Sequence, residues 1–358
     1  MSYKVLFFMP FYPDYLDYFY ERRNGISIKS YSEQLRAFEA DHFGYFYAYV
    51  NALNRLGHQA AILIPNCRPL QLQWAREHGV AFDDREWTRA VALEQIRRYQ
   101  PDIFYIGSVF EYYGDYLGEV KKHARQIVAQ MACQLPPDLN LSHIDCIVTS
   151  ARHFYHDFQK RRLRAEYLES GFDSDVLGSL TRDRTPIELS FVGGLHGGAH
   201  SERVRLLRLL SKKTPIKIWG YGLEKGSFFK RNPIEGRYQG RAYGMEMYDI
   251  LRRSKMTFHC HIDVAGTFAG AQRLYEATGV GTLLITDAKE NICEFLEPDK
   301  EVVTFSTDDE LLEKVRYYAT HDREREAIAH AGQQRTLKDH TIQERVKDLL
   351  PILKSVLQ

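Results

Sequence analysis

The chain has 358 residues, of which 44% are hydrophobic and 27% are charged, and its formal net charge is +1. This length predicts two domains that each bury a core, and the composition is typical of a globular protein. The near-neutral charge argues against a nucleic-acid-binding protein, and no apolar run is long enough for a transmembrane segment.

The first half of the chain alternates predicted strands and helices. Strands are predicted at residues 3–9, 59–64, 101–107, 125–132 and 146–149. Helices are predicted at residues 43–56, 69–78, 86–99 and 152–164. This alternation predicts a parallel sheet. Residues 11–41 are too long for a tight turn and are predicted to be a functional, lid-like loop.

The second half repeats the same alternation after a polar stretch at residues 173–186, which is the predicted linker. Strands are predicted at residues 187–192, 216–219, 256–260, 282–286 and 302–305. Helices are predicted at residues 201–210, with Ser201 as a cap, at 245–253, at 273–279 and from 308 onward. The sequence therefore predicts one domain over residues 1–180 and another over residues 181–340.

Two charged residues lie just before a buried strand of the second half. Arg273 and Glu276 are three apart on one predicted helix, which ends at Gly279, so they share a helix face. A guanidinium suits phosphate and a carboxylate suits ribose hydroxyls, which fits a nucleotide at the edge of an α/β sheet. The alternative is an i,i+3 ion pair on a solvated helix face.

Two glycine-containing loops follow predicted strands. Gly193 and Gly194 precede a helix, where the backbone can approach a phosphate; the alternative is a flexible entry to that helix. Trp219, Gly220 and Tyr221 end another strand, on the side where parallel sheets bind ligands. The alternative there is a turn with a buried Trp.

A third strand ends in a cluster of polar residues, His259, His261 and Asp263. Residues two apart on a strand face the same side, so the cluster could hold a metal ion. The other interpretation is that His261 or Asp263 contacts a sugar or a phosphate.

Three segments near the C-terminus carry a resemblance to a known family. They are RLYEATG at residues 273–279, EFLEPDKEVV at 294–303 and YYATHDRER at 317–325. With them, residues 258–345 resemble the C-terminal part of the CgeB-like, spore-maturation-type glycosyltransferases of the GT-B class. The N-terminal half resembles that family through SYSEQ at residues 30–34 and LGH at 56–58.

This resemblance implies an α/β fold with two Rossmann-like domains that face a central cleft. It implies that residues 341–358 form a C-terminal helix that crosses back to the N-terminal domain. A nucleotide-sugar donor would bind the C-terminal domain and an acceptor the N-terminal domain. GT-B enzymes generally need no divalent metal for donor binding, so no metal ligand and no cofactor are predicted.

The resemblance also implies roles for individual residues. Glu276 would accept hydrogen bonds from the ribose hydroxyls, and Arg273 would neutralise the departing diphosphate. Phe268 stands where many retaining families have a second glutamate, which puts a retaining mechanism in doubt. The other residues predicted to bind the donor are Gly193, Gly194, Trp219, Gly220, Tyr221, His261, Asp263 and Gly270.

An inverting transferase needs a base that deprotonates the acceptor hydroxyl. His42, whose side chain titrates near neutral pH, and its neighbour Asp41 are the predicted catalytic residues. They lie where the long first loop becomes a helix. The alternative is a capping Asp followed by a surface His; Asp14 and Glu111 are further candidates for the base.

The sequence thus predicts a glycosyltransferase that moves a sugar from a nucleotide-sugar donor to a hydroxyl of a carbohydrate, glycolipid or protein acceptor. One alternative is a nucleotide-sugar epimerase or hydrolase with the same fold. The other is a non-catalytic GT-B-fold factor in the assembly of a coat or surface layer. No nucleic-acid partner is expected.

Aromatic residues make up 13% of the chain, which suits sugar stacking and would equally suit a homodimer contact. The five cysteines are scattered and include no Cys-x-x-Cys pair, and no secretory signal is recognised. These features predict a cytoplasmic protein.

Overall fold

The computed structural model describes residues 2–136, 139–180, 185–198, 200–224, 226 and 232–358. The chain forms two compact units, one of Met1–Glu169 with Ile342–Gln358 and one of Ser170–Thr341. Each unit has its own parallel sheet of six strands, flanked by helices. The predicted α/β fold with two Rossmann-like domains is therefore confirmed. Among the described residues, no helix is both long and apolar enough to span a membrane.

The first unit is built on a six-stranded sheet whose central strands are buried on both faces. The strands are β1 (Lys4–Phe8), β2 (Gln59–Leu63), β3 (Ile103–Ile106), β4 (Gln126–Gln130), β5 (Cys146–Thr149) and β6 (Ala165–Tyr167). Their order in the sheet is β2-β1-β3-β4-β5-β6. The helices are α1 (Pro13–Glu21), α2 (Tyr31–Asp41), α3 (Phe46–Arg55), α4 (Arg68–Glu77), α5 (Trp87–Tyr99), α6 (Asp115–Lys121) and α7 (Arg152–Lys160).

The prediction of a long loop at residues 11–41 is wrong, because α1 and α2 occupy most of this segment. Helix α2 begins with a reciprocal capping box. The Ser30 hydroxyl accepts a hydrogen bond from the Glu33 backbone N–H at 3.3 Å, and the Glu33 carboxylate accepts one from the Ser30 N–H at 3.0 Å. The two helices are held together by aromatic packing, including Phe19 stacked on Phe38 with ring centres 3.8 Å apart.

The second unit repeats the architecture of the first. Its strands are β7 (Ile187–Gly194), β8 (Lys217–Tyr221), β9 (Tyr238–Gly240), β10 (Ser254–His259), β11 (Leu283–Asp287) and β12 (Val303–Phe305), in the order β12-β11-β10-β7-β8-β9. Its helices are α8 (Ser201–Lys213), α9 (Gly244–Arg253), α10 (Gln272–Gly279), α11 (Ile292–Phe295), α12 (Asp308–Thr320) and α13 (Asp322–Asp339).

The two units are divided after Glu169, eleven residues before the boundary that the sequence predicts. Phe172 explains the difference, because it already belongs to the second unit. Its backbone N–H donates to the His340 carbonyl at 2.8 Å, and its ring lies so close to Gly279 that a Cβ there would be 2.5 Å away. Part of the predicted linker, residues 181–184, lies outside the described residues.

The last helix, α14 (Ile342–Leu357), belongs to the first unit. Its apolar face is buried and packs on α3. Arg345, near its start, forms an ion pair with Glu169 in which Nη1 lies 3.0 Å from Oε2. The first unit is thus completed by residues from both ends of the chain.

Candidate active site

The second sheet reverses its strand order between β7 and β10. The chain moves outward from β7 to β8 and β9 on one side, and then from β10 to β11 and β12 on the other. Loops that leave the carboxyl ends of two such neighbouring strands diverge and leave a crevice, where open α/β sheets bind ligands. The candidate site is formed by the ends of β7, β10 and β11 together with helix α10.

Arg273 and Glu276 form an ion pair on α10, with Nη1 of Arg273 2.9 Å from Oε2 of Glu276. Their side chains are only 15% and 13% exposed, so the pair does not lie on a solvated helix face. Nη2 of Arg273 donates to the Val192 carbonyl at 3.2 Å, which brings the guanidinium to the end of β7. Although close to Glu276, Nη1 makes no well-directed hydrogen bond to any described group.

The carboxylate of Glu276 is held at an energetic cost. Burial raises its pKa above the ordinary value, and the positive charge of Arg273 opposes only part of that rise. Such a shift means that the surroundings disfavour the negative charge. Perturbed carboxylates that lie beside a crevice are candidates for function.

His261 and Asp287 form a second polar pair, at the carboxyl ends of β10 and β11. Oδ1 of Asp287 accepts a hydrogen bond from the His261 backbone N–H at 3.0 Å and lies 2.7 Å from Nδ1 of the ring. Burial would raise the pKa of Asp287, but the hydrogen bonds and charge of His261 hold it well below its usual range. The ionised carboxylate keeps the proton on Nδ1. Nε2 is buried and has no hydrogen-bond partner in the part of the chain that the structure describes.

His259, His261 and Asp287 each place a potential ligand atom within 4.8 Å of the others. The surroundings of this group are positively charged. Lys289 Nζ lies 3.0 Å from Asp287, and burial, His261 and the guanidiniums of Arg203 and Arg273 hold the pKa of His259 well below its usual value. A field of this sign favours an anion such as a diphosphate over a divalent cation.

Asp263 does not belong to this group, and its contact with the donor stays a prediction. It is exposed, and Oδ2 accepts hydrogen bonds from the Ser201 backbone N–H at 2.9 Å and from the Ser201 hydroxyl. Asp263 therefore caps helix α8 from a neighbouring loop. Ser201, the predicted cap, is the first residue of the helix.

We expect Asp263→Ala to lower the free energy of unfolding by about 1 kcal/mol, because the first turn of α8 loses its acceptor. Urea denaturation measures the loss. Asp263→Asn, which keeps an acceptor oxygen, is the control and should retain most of the stability. Reduced nucleotide binding by Asp263→Ala at unchanged stability would instead place Asp263 in the binding site.

The predicted glycines allow close packing, and Gly220 allows the close pairing of β7 and β8. A Cβ on Gly220 would lie 1.9 Å from the Gly193 carbonyl oxygen, and a Cβ on Gly194 would lie 3.2 Å from the His200 ring. Packing is therefore sufficient reason for glycine at position 220. Gly193 and Gly194 end β7 at the crevice, so a contact between their backbone and a phosphate stays a prediction.

Trp219 is half-buried and packs against an apolar cluster of the second unit, so its contact with the donor base stays a prediction. Tyr221 is half-buried, and its ring stacks on Tyr243 with centres 5.9 Å apart. Gly270, with φ of 156°, lies in the turn that leads into α10.

The predicted base Asp41 is buried in the first unit. Its carboxylate accepts a hydrogen bond from the Tyr15 hydroxyl at 2.8 Å and forms an ion pair with Arg23. Burial raises the pKa of Asp41, and the charge of Arg23 opposes this rise. An enclosed and paired carboxylate is poorly placed to reach an acceptor hydroxyl, which favours His42 as the base, and the catalytic role of Asp41 stays a prediction.

His42 ends α2 in the left-handed conformation, with φ of 51°, and is half-buried. The next residue, Phe43, contacts Phe11 with ring centres 5.2 Å apart. Phe11 closely follows β1, so this segment lies at the carboxyl edge of the first sheet. The catalytic role of His42 stays a prediction.

The site that the sequence predicts lacks three residues that the structure places there, namely Asp287, Lys289 and Arg203. Arg203 is buried on α8, and its guanidinium donates to the Cys260 carbonyl at 2.8 and 3.0 Å, next to His261. Asp287 had a recognisable signal, since it directly follows the predicted strand at residues 282–286. A carboxylate at the carboxyl end of a parallel strand is a candidate site residue.

Residues 203–351 match a family model described as glycosyl transferase-like. They include α10 and the polar ends of β10 and β11. The predicted glycosyltransferase class is confirmed at the level of this match. No curated protein matches the chain.

Several solved structures are similar over nearly the whole chain. A glycosyltransferase from Rickettsia africae ESF-5 has a TM-score of 0.57 and 13% identity, covering 100% of this chain and 99% of that one. Anabaena Alr3699/HepE in complex with UDP-glucose has a TM-score of 0.60 and 11% identity, covering 99% and 100%. Sucrose-phosphate synthase from Thermosynechococcus elongatus has a TM-score of 0.54 and 8% identity, covering 98% of both chains. At these identities the likeness establishes the fold.

Proposed function

We propose that this chain is a glycosyltransferase that takes a sugar from a nucleotide-sugar donor and transfers it to an acceptor hydroxyl. The match at residues 203–351 supports the class. The observation that carries the proposal is the position of Arg273 and Glu276 at the carboxyl edge of the second sheet, where the strand order reverses. A similar structure, that of HepE, is a complex with UDP-glucose, which supports a nucleotide-sugar donor.

In this proposal two side chains of α10 bind the ribose and the diphosphate of the nucleotide. Glu276 accepts hydrogen bonds from the ribose hydroxyls, which offsets part of the cost of burying its charge. Arg273 directs Nη1 toward the diphosphate and stabilises the negative charge that grows as the bond to the sugar breaks. Fixed charges of this kind supply a large part of enzymatic rate enhancement.

The pair of His261 and Asp287 assists at the same phosphates. Asp287 holds the imidazole through Nδ1, which leaves Nε2 as the nitrogen that can bind a ligand. Protonated His261 would donate from Nε2 to the departing diphosphate. With Arg273, Arg203 and Lys289 nearby, positive side chains take the place of a metal ion, and we propose that transfer is independent of metal.

The acceptor site is proposed at the carboxyl edge of the first sheet, whose strand order also reverses, between β1 and β3. Exposed aromatic residues lie in the loops that follow these strands, namely Tyr12, Phe110 and Tyr113. Aromatic rings offer flat apolar faces with which sugar rings stack. His42, in the segment beside β1, is the proposed base.

Among glycosyltransferases we place the chain with the CgeB-like group, on the segments at residues 273–279, 294–303 and 317–325.

A thermal-shift panel with UDP, GDP, dTDP, ADP and CMP tests the donor site. A nucleotide at 100 times its dissociation constant should stabilise the protein by about 2.7 kcal/mol. Added EDTA should leave the shift unchanged, and the matching nucleosides, which lack phosphate, are the control. A shift that requires Mg²⁺ or Mn²⁺ would contradict metal independence. If no nucleotide shifts the transition, the non-catalytic alternative is favoured; donor turnover without acceptor would favour a hydrolase or epimerase.

A further inference from the structure

The first unit contains a cavity of about 620 Å³ beside its edge strand β2. The cavity is bounded by α2 and α3 on one side and by α4 and α5 on the other. Ligand pockets have volumes of about 300–1,000 Å³. The cavity therefore has the size of a binding site, and all of its lining residues belong to the first unit.

One buried hydroxyl at this cavity is left without a partner. Tyr47 is 5% exposed, and its hydroxyl makes no hydrogen bond within the described residues. Burial and the nearby Tyr31 and Glu39, which also line the cavity, raise its pKa well above the usual value, so it is a neutral donor. Buried polar groups are almost always hydrogen-bonded. A ligand oxygen in the cavity would satisfy this hydroxyl.

Strand β2, at the edge of its sheet, lines the same cavity. The Gln59 N–H and the Leu63 carbonyl bond to β1, at 2.8 and 2.9 Å, so the peptide groups of the alternate residues, Ala60 and Ile62, point outward. The side-chain amide of Asn54 pairs with Ala60 at 2.7 and 3.0 Å. Ile62 is the next outward position, and it lines the cavity.

The remaining lining combines aromatic rings with planar polar side chains. Tyr31 and Tyr99 provide rings, whereas the ring of Trp74 is already stacked by His78, with centres 4.3 Å apart. Glu39, Asn51 and Gln95 provide polar groups. The polar groups are already oriented, since Asn51 donates to Glu39 at 3.0 Å and Tyr31 donates to Gln95 at 3.2 Å. A pyranose ring presents an apolar face to aromatic rings and hydroxyls to such side chains.

We propose that this cavity is a second carbohydrate site, which binds a pyranose unit on the first unit. Nothing in the proposed transfer reaction uses these residues, so the proposal goes beyond that function. Occupied by a sugar unit of a glycan, the site would hold that glycan on the enzyme independently of the nucleotide.

The test is saturation-transfer NMR on the full-length protein without nucleotide, with methyl glucopyranoside, methyl galactopyranoside and N-acetylglucosamine as probes. At least one probe should bind saturably. Tyr47→Phe removes only the unpartnered hydroxyl and should weaken binding about tenfold. Ala61→Leu fills the cavity from β2 and should abolish binding.

Tyr116→Phe is the matched control, because the Tyr116 hydroxyl is equally buried and likewise lacks a partner among the described residues, yet it lies outside the cavity. It should leave sugar binding unchanged. Melting temperatures show whether each variant is folded. The thermal shift produced by the nucleotide that binds best should be equal in all variants, so a failure of the donor site can be distinguished from a failure of the sugar site. Equal affinity in all three variants, or binding of nucleosides or alkyl chains but of no pyranoside, would overturn the proposal.

Discussion

Arg273→Ala is expected to lower kcat for sugar transfer by about 100- to 1,000-fold, the usual effect of removing one group that stabilises transition-state charge. Nucleotide affinity should fall much less, because the charge on the diphosphate grows as the sugar leaves. Steady-state kinetics with the nucleotide sugar identified by the panel measures both quantities. This expectation rests on the guanidinium at the end of β7, whose Nη1 lacks a directed hydrogen bond among the described groups.

Two further variants make this result interpretable. Arg205→Ala removes an exposed arginine that pairs with Glu202 and Asp308 on the surface, and it should leave kcat unchanged. Arg273→Ala combined with Glu276→Gln removes the buried carboxylate that the single variant leaves unpaired, so it separates lost stability from lost catalysis. A folded Arg273→Ala enzyme with nearly full kcat would rule out the proposed role of this residue.

Glu276→Gln should act in opposite directions on binding and on stability. Nucleotide affinity should fall about 10- to 100-fold, because hydrogen bonds to a charged group are worth about 1.5–3 kcal/mol. The free protein should become more stable at neutral pH, because burial raises the pKa of Glu276. Calorimetric titration measures the first effect and urea denaturation the second.

The pH dependence of this stability has a definite sign. The folded state binds the proton of Glu276 more tightly than the unfolded state does. The contribution of Glu276 is therefore most favourable below the unfolded pKa of about 4.3. This favourable contribution is lost as the pH rises from the unfolded pKa through the raised pKa of the folded state. The total loss is about 1.4 kcal/mol for each unit by which folding raises the pKa.

Glu276→Gln should lack this decline, whereas Glu313→Gln, the same change at an exposed position of α12, should behave like the wild type. If Glu276→Gln keeps its nucleotide affinity, the ribose contact is wrong. If it loses stability at neutral pH, the carboxylate is structural.

The architecture could be predicted because its signals are local. Buried strands, glycine breaks and helical spacing repeat through both halves, and the spacing of Arg273 and Glu276 alone puts them on one face of α10. Helix α2 is not predicted by the sequence patterns, although the sequence contains a signal for its start. Ser30 and Glu33 have the spacing of a capping box, but the dense aromatic residues around them obscured the helical pattern; the structure shows that these rings form the packing between α1 and α2.

The missing parts of the site depend on contacts between distant segments. His261 meets Asp287 because β10 and β11 pair with His259 beside Thr286, and sequence spacing does not contain that register. Asp41 is enclosed by Tyr15 and Arg23 from another element, a partnership that no local pattern reveals. Asp263 was assigned to the site by its position in a cluster, whereas its partner in the structure is the start of α8.

Helix α14 also determines the order in which the molecule can be completed during synthesis. The second unit is one uninterrupted stretch, Ser170–Thr341, while the first needs Ile342–Gln358 as well. Domains usually fold in the order in which they leave the ribosome. Here the first unit is not complete until Ile342–Gln358 has been synthesised, a segment that contributes the buried Val346, Leu349 and Leu353. The second unit is therefore complete while the first unit still lacks one helix.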